Sequence, residues 1–536
     1  MKKHTLLASL LLIAGVTFCQ NNNSKTLAKW SDARFGMFIH WGPVTLKGTE
    51  IGWSRGSKVP TEEYDNLYKQ FDPVKFNADE WVSVAKAAGM KYIVLTTKHH
   101  DGFCLWDTKQ TDHNIMQTPF KRDVVKELTE ACKKQGLAFG AYYSTCDWHH
   151  PDFPLYGSGG SKRKEKSDLD AYTKYLKRQI AELMLNYGPL ITLWFDVPQE
   201  FDDVRGKGII DFAHIIQPDI LINSRTGTKG DYDTPEQRVG GMQMNRPWES
   251  CITIGDQWAW KPNEKLKSLR KCINTLILTV SGDGNLLFNV GPSPLGVIEP
   301  DQAERLKNMG KWLDKNAESI YGTRGGPFYP GTTLSSTRKD STIYLHTLNS
   351  KSEKITIPVL PAKILSVTVL DGKKLKYKQT KTTTEITLPA DLQDSISTTV
   401  KILIDKPAID IPLIDLNEQF IATVSSTPNS ASQMTDGSTD QLSCWKANSK
   451  DTIPWVTIDM RKPASISKVI IHEGWNSKIT KFTVEYKKGN DWVSIFESNE
   501  INNKIECEFA KVKTQFVRIK FIKFTKSPII REIEIK

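Results

Sequence analysis

Apolar and polar positions follow two alternating patterns along the first 325 residues of the chain. Short apolar runs, which are typical of buried strands, occur at Phe35–Trp41, Tyr92–Thr97, Leu137–Ser144, Leu190–Asp196, Ile220–Ser224, Trp248–Ile252 and Leu286–Val290. Apolar residues at helical spacing recur at Asp79–Ala88, Asp123–Lys134, Leu169–Asn186, Gly208–Ile216, Glu264–Val280 and Asp301–Ser319. Strands that alternate with helices predict parallel βα units. The length favours a (β/α)8 barrel; an open doubly wound sheet is the alternative, but no G-x-G-x-x-G follows the first strand.

The pattern changes at Gly331, after which apolar and polar residues alternate with a period of two. Such alternation predicts antiparallel strands with one buried face, and Asp371-Gly372 is a turn signal between two of them. The expected domains are a signal peptide at 1–19, the barrel at 20–330, a small antiparallel β-sandwich at 331–407 and, after a linker with two prolines, a second β-sandwich at 417–536.

Composition narrows the functional class. The chain has 536 residues, of which 39% are hydrophobic, with 15 Trp, 15 Tyr and 21 Phe, so a large buried core is expected rather than disorder. The mean hydropathy of −0.40 excludes a protein with many membrane spans. The net charge of +11 comes from residues spread along the whole chain, without a nucleic-acid-binding signature, so we expect no nucleic-acid partner.

The first residues have the features of an export signal. Lys2 and Lys3 precede the apolar stretch Leu6–Phe18, which is too short to span a bilayer. Cleavage before Gln20 would give a secreted or periplasmic protein. The alternative is a lipid anchor at Cys19, but that signal needs a small residue before the cysteine, and a phenylalanine stands there.

Polar and aromatic residues stand where the predicted strands end. In a parallel barrel these ends share one face, where the active site forms. The residues concerned are His40, His99, His100, Asp101, Tyr142, Tyr143, Trp194, Asp196, Arg225, Glu249 and Asn289. One such residue would more often serve packing, but seven strand ends in the same register are hard to explain that way. Aromatic faces beside histidines and carboxylates are suited to a sugar ring and its hydroxyls.

Two carboxylates fit the needs of glycoside hydrolysis, which usually requires a nucleophile or base and an acid. Asp196 ends an apolar strand, and Glu249 follows Trp248, whose indole and the exclusion of solvent would raise the pKa of the glutamate. Other carboxylates compete for these roles, namely Glu50, Asp101, Asp147, Glu236 and Asp256.

Six motifs occur in a characteristic order: His40-Trp41-Gly42, Lys98-His99-His100-Asp101-Gly102-Phe103, Tyr143-Ser144, Trp194-Phe195-Asp196, Trp248-Glu249 and Gly284-Asn285-Leu286-Leu287-Phe288-Asn289-Val290-Gly291-Pro292. Together they resemble glycoside hydrolase family 29, the retaining α-L-fucosidases, from about Trp30 to Tyr321. The resemblance implies an exo-acting enzyme for fucosylated glycans without a catalytic cofactor, with Asp196 as nucleophile and Glu249 as acid/base. The implied sugar-binding residues are His40, Glu50, Trp53, His99, His100, Tyr143, Trp194 and Arg225. The stretch Gln257-Trp258-Ala259-Trp260 departs from the family pattern on the expected leaving-group side.

The C-terminal segment resembles a discoidin-type (F5/8 type C, galactose-binding-like) sandwich. The motifs are Ala422-Thr423-Val424-Ser425-Ser426, Thr435-Asp436-Gly437, Cys444-Trp445, Pro454-Trp455-Val456-Thr457-Ile458-Asp459, Phe482-Thr483-Val484-Glu485-Tyr486, Trp492, Val517-Arg518-Ile519 and Glu532-Ile533-Glu534. The resemblance implies a structural Ca²⁺ bound by Asp436, Asp440 and Glu532. It also makes Trp475 the candidate for stacking on a sugar. The alternatives are a packing domain without a ligand and, for Trp475, a place in an interdomain core.

Two other functions remain open at this level. One is a metal-dependent hydrolase that would use His99, His100, Asp101 and His149, although metallohydrolase barrels usually place His-x-His on the first strand. The other is an inactive sugar-binding protein, against which the presence of both carboxylates argues. Linkage preference and oligomeric state do not follow from the sequence.

Overall fold

The computed structural model describes residues 24–348, 352–414, 416, 420–435, 444–475 and 477–536. The predicted signal peptide, Cys19, Asp436 and Asp440 lie outside these residues. The chain divides into two compact units, of which the first contains most residues up to Leu413 and the second contains 414–536 with two short segments from earlier in the chain. Among the described helices none is long and apolar enough to cross a membrane.

The first unit begins with alternating strands and helices. The strands are β1 (Phe35–Ile39), β2 (Tyr92–Lys98), β3 (Ala138–Ser144), β4 (Leu155–Tyr156), β5 (Lys162–Arg163), β6 (Thr192–Asp196), β7 (Leu221–Ile222), β8 (Glu249–Thr253) and β9 (Asn285–Val290). The helices are α1 (24–33), α2 (Thr61–Asn66), α3 (Ala78–Ala87), α4 (Val124–Gln135), α5 (Leu169–Tyr187), α6 (Asp203–Ile216), α7 (Leu269–Ser281) and α8 (Pro300–Asn316). Side chains cap several helices, as Asp123 does for α4.

The parallel sheet has seven strands in the order β7-β6-β3-β2-β1-β9-β8, while β4 and β5 form a separate hairpin. The expectation of a closed barrel of eight strands is therefore wrong in that detail. Between the edge strands β7 and β8, the segment 231–235 makes isolated bridges, Tyr232 with Asn223 and Asp233 with Trp248. The ladder with β8 is interrupted because Pro235 has no N–H to donate.

The two faces of this sheet bury different sets of side chains, because successive residues of a strand point to opposite sides. Phe35, Met37 and Ile39 of β1 belong to the large core that includes the helices. Phe38 belongs to a separate inner cluster with, among others, Tyr92, Tyr142, Trp194, Tyr232, Cys251 and Leu287. Two residues of this inner cluster, Tyr142 and Trp194, also belong to the candidate site described below.

Antiparallel strands complete the first unit. They are β10 (Arg324–Gly325), β11 (Leu334–Lys339), β12 (Thr342–Thr347), β13 (Lys354–Pro358), β14 (Ile364–Val369), β15 (Tyr377–Gln379), β16 (Thr383–Thr387) and β17 (Thr399–Ile404). One sheet has the order β10-β11-β12-β17-β14 and the other β13-β16-β15.

The second unit is a sheet-rich domain with its own core. Its strands are β18 (Ile421–Val424), β19 (Trp445–Lys446), β20 (Trp455–Glu473), β21 (Lys478–Lys488), β22 (Asp491–Ser498), β23 (Lys504–Lys526) and β24 (Ile529–Ile535). They pair in the order β19-β24-β20-β23-β21-β22, and β18 pairs with β20. Trp445, Val456, Phe482 and Phe521 are among the buried side chains of this core, as expected for a domain of the discoidin type.

Candidate active site

Asp196 is the last residue of β6, and two donors hold its carboxylate. The hydroxyl of Tyr142 donates to Oδ2 at 2.9 Å, and Nη1 of Arg225 donates to Oδ1 at 2.8 Å. The Nε2 atom of His100 lies 3.8 Å from Oδ2. Burial alone would raise the pKa of Asp196, but opposing effects, of which the charge of Arg225 is the largest, hold the pKa below its usual value. Asp196 is therefore an oriented carboxylate at neutral pH.

His40 and His100 are neutral and present a defined nitrogen. Nδ1 of His40 lies 2.7 Å from Oδ1 of Asn289, and Nδ1 of His100 lies 2.8 Å from the Ser144 hydroxyl. Burial lowers the pKa of His40 to about 3 and that of His100 to about 4. Because the Ser144 hydroxyl donates to the carbonyl of Cys146, its oxygen accepts a hydrogen bond from Nδ1–H of His100. The Nε2 atom of that ring is then an acceptor.

The third histidine, His99, lies between aromatic rings. Its ring stacks on Tyr142 with 5.4 Å between the centroids, and it lies 5.6 Å from the ring of His40. Burial, reinforced by the neighbouring histidines, lowers the pKa of His99 well below its usual value. The structure thus brings all three predicted histidines together with Asp196.

Contacts with neighbouring side chains account for three other residues of the Lys-His-His-Asp-Gly-Phe motif. The side chain of Asp101 accepts a hydrogen bond from the Tyr64 hydroxyl at 2.7 Å. Gly102 has a φ of 77°, and a Cβ there would lie 2.3 Å from Oδ1 of Asp147. The buried Nζ of Lys98 pairs with Oδ2 of Asp147 at 3.3 Å. The turn after His100 therefore has room for glycine and not for a larger residue.

Glu50 holds the loop that the sequence placed on the leaving-group side. Its carboxylate accepts from the backbone N–H groups of Trp258 (3.1 Å) and Ala259 (3.2 Å). Burial raises the pKa of Glu50 to about 7. The ring of Trp258 lies 4.8 Å from that of His40, so Trp258 belongs beside the histidines. The sequence argument had not included Trp258 among the site residues.

Trp53 provides an accessible aromatic surface next to His100. The residue is 44% exposed, and its ring lies 5.4 Å from the ring of His100 and 5.3 Å from that of Trp148. A Cβ on Gly159 would lie 3.1 Å from the Trp53 ring, so the turn between β4 and β5 runs close to this tryptophan. This placement is compatible with the predicted position beside a sugar.

Tyr143 does not face Asp196, in contrast to the prediction. Its hydroxyl donates to Oε1 of Gln179 at 2.7 Å, and the Nζ atom of Lys98 lies 4.2 Å from its ring centre. The neighbouring Tyr142 takes the predicted position. The reason is the alternation of side chains along β3: Tyr142 shares a face with Ser144, which contacts His100, and Tyr143 lies on the opposite face.

Glu249 is the first residue of β8, so the expectation that it lies at the carboxyl end of a strand is wrong. Its side chain is 0% exposed. Oε1 accepts from the Tyr92 hydroxyl at 2.5 Å, and Oε2 accepts from Nε1 of Trp194 at 2.9 Å. Burial raises the pKa of Glu249 to about 7. This carboxyl group lies at the amino end of β8, whereas Asp196 lies at the carboxyl end of β6, on the opposite edge of the parallel sheet.

Glu236 lies two residues after Thr234, which contacts Arg225. The Thr234 hydroxyl accepts from Nε of Arg225 at 2.8 Å, and its carbonyl accepts from Nη2 at 2.9 Å. Arg225 is the donor to Asp196. Glu236 itself is half-buried. The segment that carries Glu236 is thus hydrogen-bonded, at Thr234, to the arginine of the nucleophile candidate.

The predicted C-terminal site is described in part. Glu532 lies in β24 and is 5% exposed, but Asp436 and Asp440 lie outside the described residues, so the calcium site stays a prediction. Trp475 is 73% exposed. It borders a cavity of about 310 Å³ that is otherwise lined mostly by polar residues, including Ser477, Asn499 and Asn502.

Comparison with known proteins confirms both resemblances. The family model described as "Alpha-L-fucosidase" matches residues 16–318, and the model described as "F5/8 type C domain" matches residues 420–534. The plasma alpha-L-fucosidase of Homo sapiens is 33% identical over 337 residues, which cover 56% of this chain and 70% of that protein.

Solved structures agree with this result. Alpha-L-fucosidase isoenzyme 1 from Paenibacillus thiaminolyticus is 30% identical with a TM-score of 0.67, and the match covers 72% of this chain and 100% of that one. A family 29 alpha-L-fucosidase from Bacteroides thetaiotaomicron, trapped as a covalent intermediate with 2-fluoro-fucosyl fluoride, is 26% identical with a TM-score of 0.64. That match covers 71% of this chain and 96% of the other. With its family model extending over more than half of its residues, this chain belongs to the alpha-L-fucosidase family of glycoside hydrolases.

Proposed function

We propose that this enzyme is an exo-acting, retaining α-L-fucosidase that releases terminal L-fucose from fucosylated glycans by double displacement, with Asp196 as the nucleophile. The observation that carries the proposal is the oriented carboxylate of Asp196, held ionised by Tyr142 and Arg225. A nucleophile must be an anion before the substrate arrives, and this environment maintains the charge at neutral pH.

The surrounding residues suit the hydroxyl groups of a fucose ring. The Nε2 atom of His100 is an acceptor near Asp196, so a sugar hydroxyl can donate to it. The Nδ1 atom of His40 faces Asn289, which leaves its Nε2 for the same purpose. Trp53 supplies an apolar face for the C–H surface of the sugar. Tyr142 replaces Tyr143 in the set of sugar-site residues.

The acid and base of the reaction is assigned differently from the sequence-based expectation. Both oxygens of Glu249 are occupied inside the sheet, and the carboxylate of Glu50 is engaged by two backbone N–H groups. Glu236 is the remaining candidate whose chain segment is bonded to Arg225. We therefore assign the acid/base role to Glu236, with Glu249 as the residue to be compared with it.

The two steps follow from these roles. In the first, a carboxylate oxygen of Asp196 forms a bond to the anomeric carbon while the bond to the leaving oxygen breaks, and Glu236 gives that oxygen its proton. In the second, Glu236 takes a proton from water, whose oxygen forms the new bond to the anomeric carbon, and Asp196 leaves as a carboxylate. Two inversions give net retention.

Chemical rescue tests the nucleophile. The wild-type enzyme is expected to hydrolyse an aryl α-L-fucoside, and Asp196→Ala is expected to lose turnover. Azide can occupy the space of the removed carboxylate and is expected to restore some turnover with formation of β-fucosyl azide. A wild-type enzyme that hydrolyses no α-L-fucoside would contradict the function. Full activity of Asp196→Ala would contradict the assigned nucleophile alone.

Export and the C-terminal domain complete the proposal. The enzyme is proposed to be secreted or periplasmic, starting near Gln20, and mass spectrometry of the mature N-terminus tests this; diacylglycerol on Cys19 would contradict it.

The C-terminal domain is proposed to bind sugar at Trp475, supported by the exposed indole and the polar cavity beside it. Weaker retention of Trp475→Ala on a glycan column, with unchanged aryl-fucoside hydrolysis, is the expected result.

A further inference from the structure

The buried Glu249 is connected to Asp196 through aromatic side chains. Its Oε2 accepts the indole N–H of Trp194 at 2.9 Å. Trp194 and Asp196 are two residues apart on β6, so both side chains lie on the inner face of the sheet. The contact therefore reaches from the first residue of β8 to the strand that carries the nucleophile.

Trp194 in turn contacts both donors to Asp196. The ring of Tyr142 stacks on the Trp194 ring with 5.5 Å between centroids and 18° between planes. The guanidinium of Arg225 lies 5.0 Å from the centre of the same ring. Tyr142 donates to one carboxylate oxygen of Asp196, and Arg225 donates to the other. A rotation of the indole would therefore displace both hydrogen bonds at once.

We infer that Glu249 is a positioning residue, which orients Trp194 and through it Tyr142, Arg225 and the carboxylate of Asp196. This inference rests on the proposed role of Asp196 and replaces the acid/base role that the sequence suggested for Glu249. A carboxylate suits the task because its two oxygens accept from two directions, from Tyr92 and from Trp194.

Four substitutions separate the two hydrogen bonds that Glu249 accepts, from Trp194 and from Tyr92. Glu249→Gln keeps an oxygen acceptor for the indole, and Glu249→Leu removes it at similar size. Trp194→Phe keeps a ring for stacking and removes the N–H donor. Tyr92→Phe is the matched control, because it removes the other hydrogen bond to the same carboxylate and leaves the Trp194 contact in place.

Glu249→Leu and Trp194→Phe are expected to lower kcat/KM by about tenfold to a hundredfold, the size of effect that a misplaced reacting group produces. The loss should be equal for good and poor leaving groups. The acidic limb of the pH profile of kcat/KM should move to higher pH. Asp196 loses part of its contact with Arg225 and Tyr142, which lower its pKa, so the pKa of Asp196 rises. Glu249→Gln should stay within a few-fold of wild type, and Tyr92→Phe should not shift the acidic limb.

Two results would overturn the inference. If Glu249→Gln and Glu249→Leu both slow poor leaving groups far more than activated aryl fucosides, and azide restores turnover with the α-fucosyl product, Glu249 is the acid/base. If Glu249→Leu and Trp194→Phe fold with unchanged acidic limbs, Glu249 has a structural role alone. Either result leaves the fucosidase function intact, since that depends on hydrolysis by the wild type and its loss in Asp196→Ala.

Discussion

The hydroxyl of Tyr142 lies 2.9 Å from Oδ2 of Asp196, and that contact places one of two consecutive tyrosines in the active site. Tyr142→Phe removes a hydrogen bond to a charged group, worth about 1.5–3 kcal/mol. We therefore expect kcat/KM for an aryl fucoside to fall about tenfold to a hundredfold. Tyr143→Phe is the matched control, because its hydroxyl bonds to Gln179; equal losses in both variants would contradict the assignment.

Arg225 is expected to set the acidic limb of the pH profile. It is the largest influence that lowers the pKa of Asp196, against the opposing effect of burial. A carboxylate with a lowered pKa is active above that pKa and loses activity as the pH falls through it. Arg225→Met should therefore move the acidic limb of kcat/KM upwards. An unchanged limb would show that Arg225 does not act on the ionisation of Asp196.

Glu236→Ala is expected to slow the release of poor leaving groups far more than that of activated aryl groups, because good leaving groups need little protonation. Azide should restore turnover and give α-fucosyl azide, since the fucosyl-enzyme still forms at Asp196. Glu200→Ala is the control: this carboxylate follows Asp196 on the next loop and pairs with Arg163. Equal rates for Glu236→Ala and wild type on natural glycans would contradict the assignment.

Gly102→Ala is expected to destabilise the enzyme and to displace His99 and His100, which precede Gly102 in the same turn. The new Cβ would lie 2.3 Å from Asp147 Oδ1, and φ is 77°. Gly136→Ala is the matched control, with a φ of 78° and no atom within 4 Å of its Cβ. The control should cost about 1 kcal/mol of unfolding free energy for backbone strain, and Gly102→Ala more. Denaturant unfolding measures both; equal costs would contradict the packing argument.

Calcium is expected to stabilise the C-terminal domain without taking part in catalysis. Thermal unfolding of the full chain should shift upwards with Ca²⁺ relative to EDTA, because an ion that binds the folded state alone stabilises it. Hydrolysis of an aryl fucoside below the transition should continue in EDTA. The Asp436→Ala variant should lose the shift. A transition that Ca²⁺ does not move would contradict the metal site, and loss of hydrolysis in EDTA would favour a metal-dependent enzyme.

The sequence alone was enough to predict the family and to place Asp196 at the end of a strand. Motifs such as Lys98–Phe103 are local in the chain, and a polar residue after a buried run is visible without coordinates. Parallel βα units bring such strand ends to one edge of the sheet, so His40, His100, Asp196 and Arg225 could be grouped before their contacts were known.

Tertiary structure alone decided which neighbour faces the site and how deep each group lies. A strand that starts or bulges one residue earlier reverses its faces, so Tyr142 and Tyr143 were indistinguishable in sequence. Glu249 follows a tryptophan as an acid/base would, yet it begins β8, and its partners Tyr92 and Trp194 are 157 and 55 residues away in the chain. No local pattern records such contacts, because they arise when distant strands close around one interior.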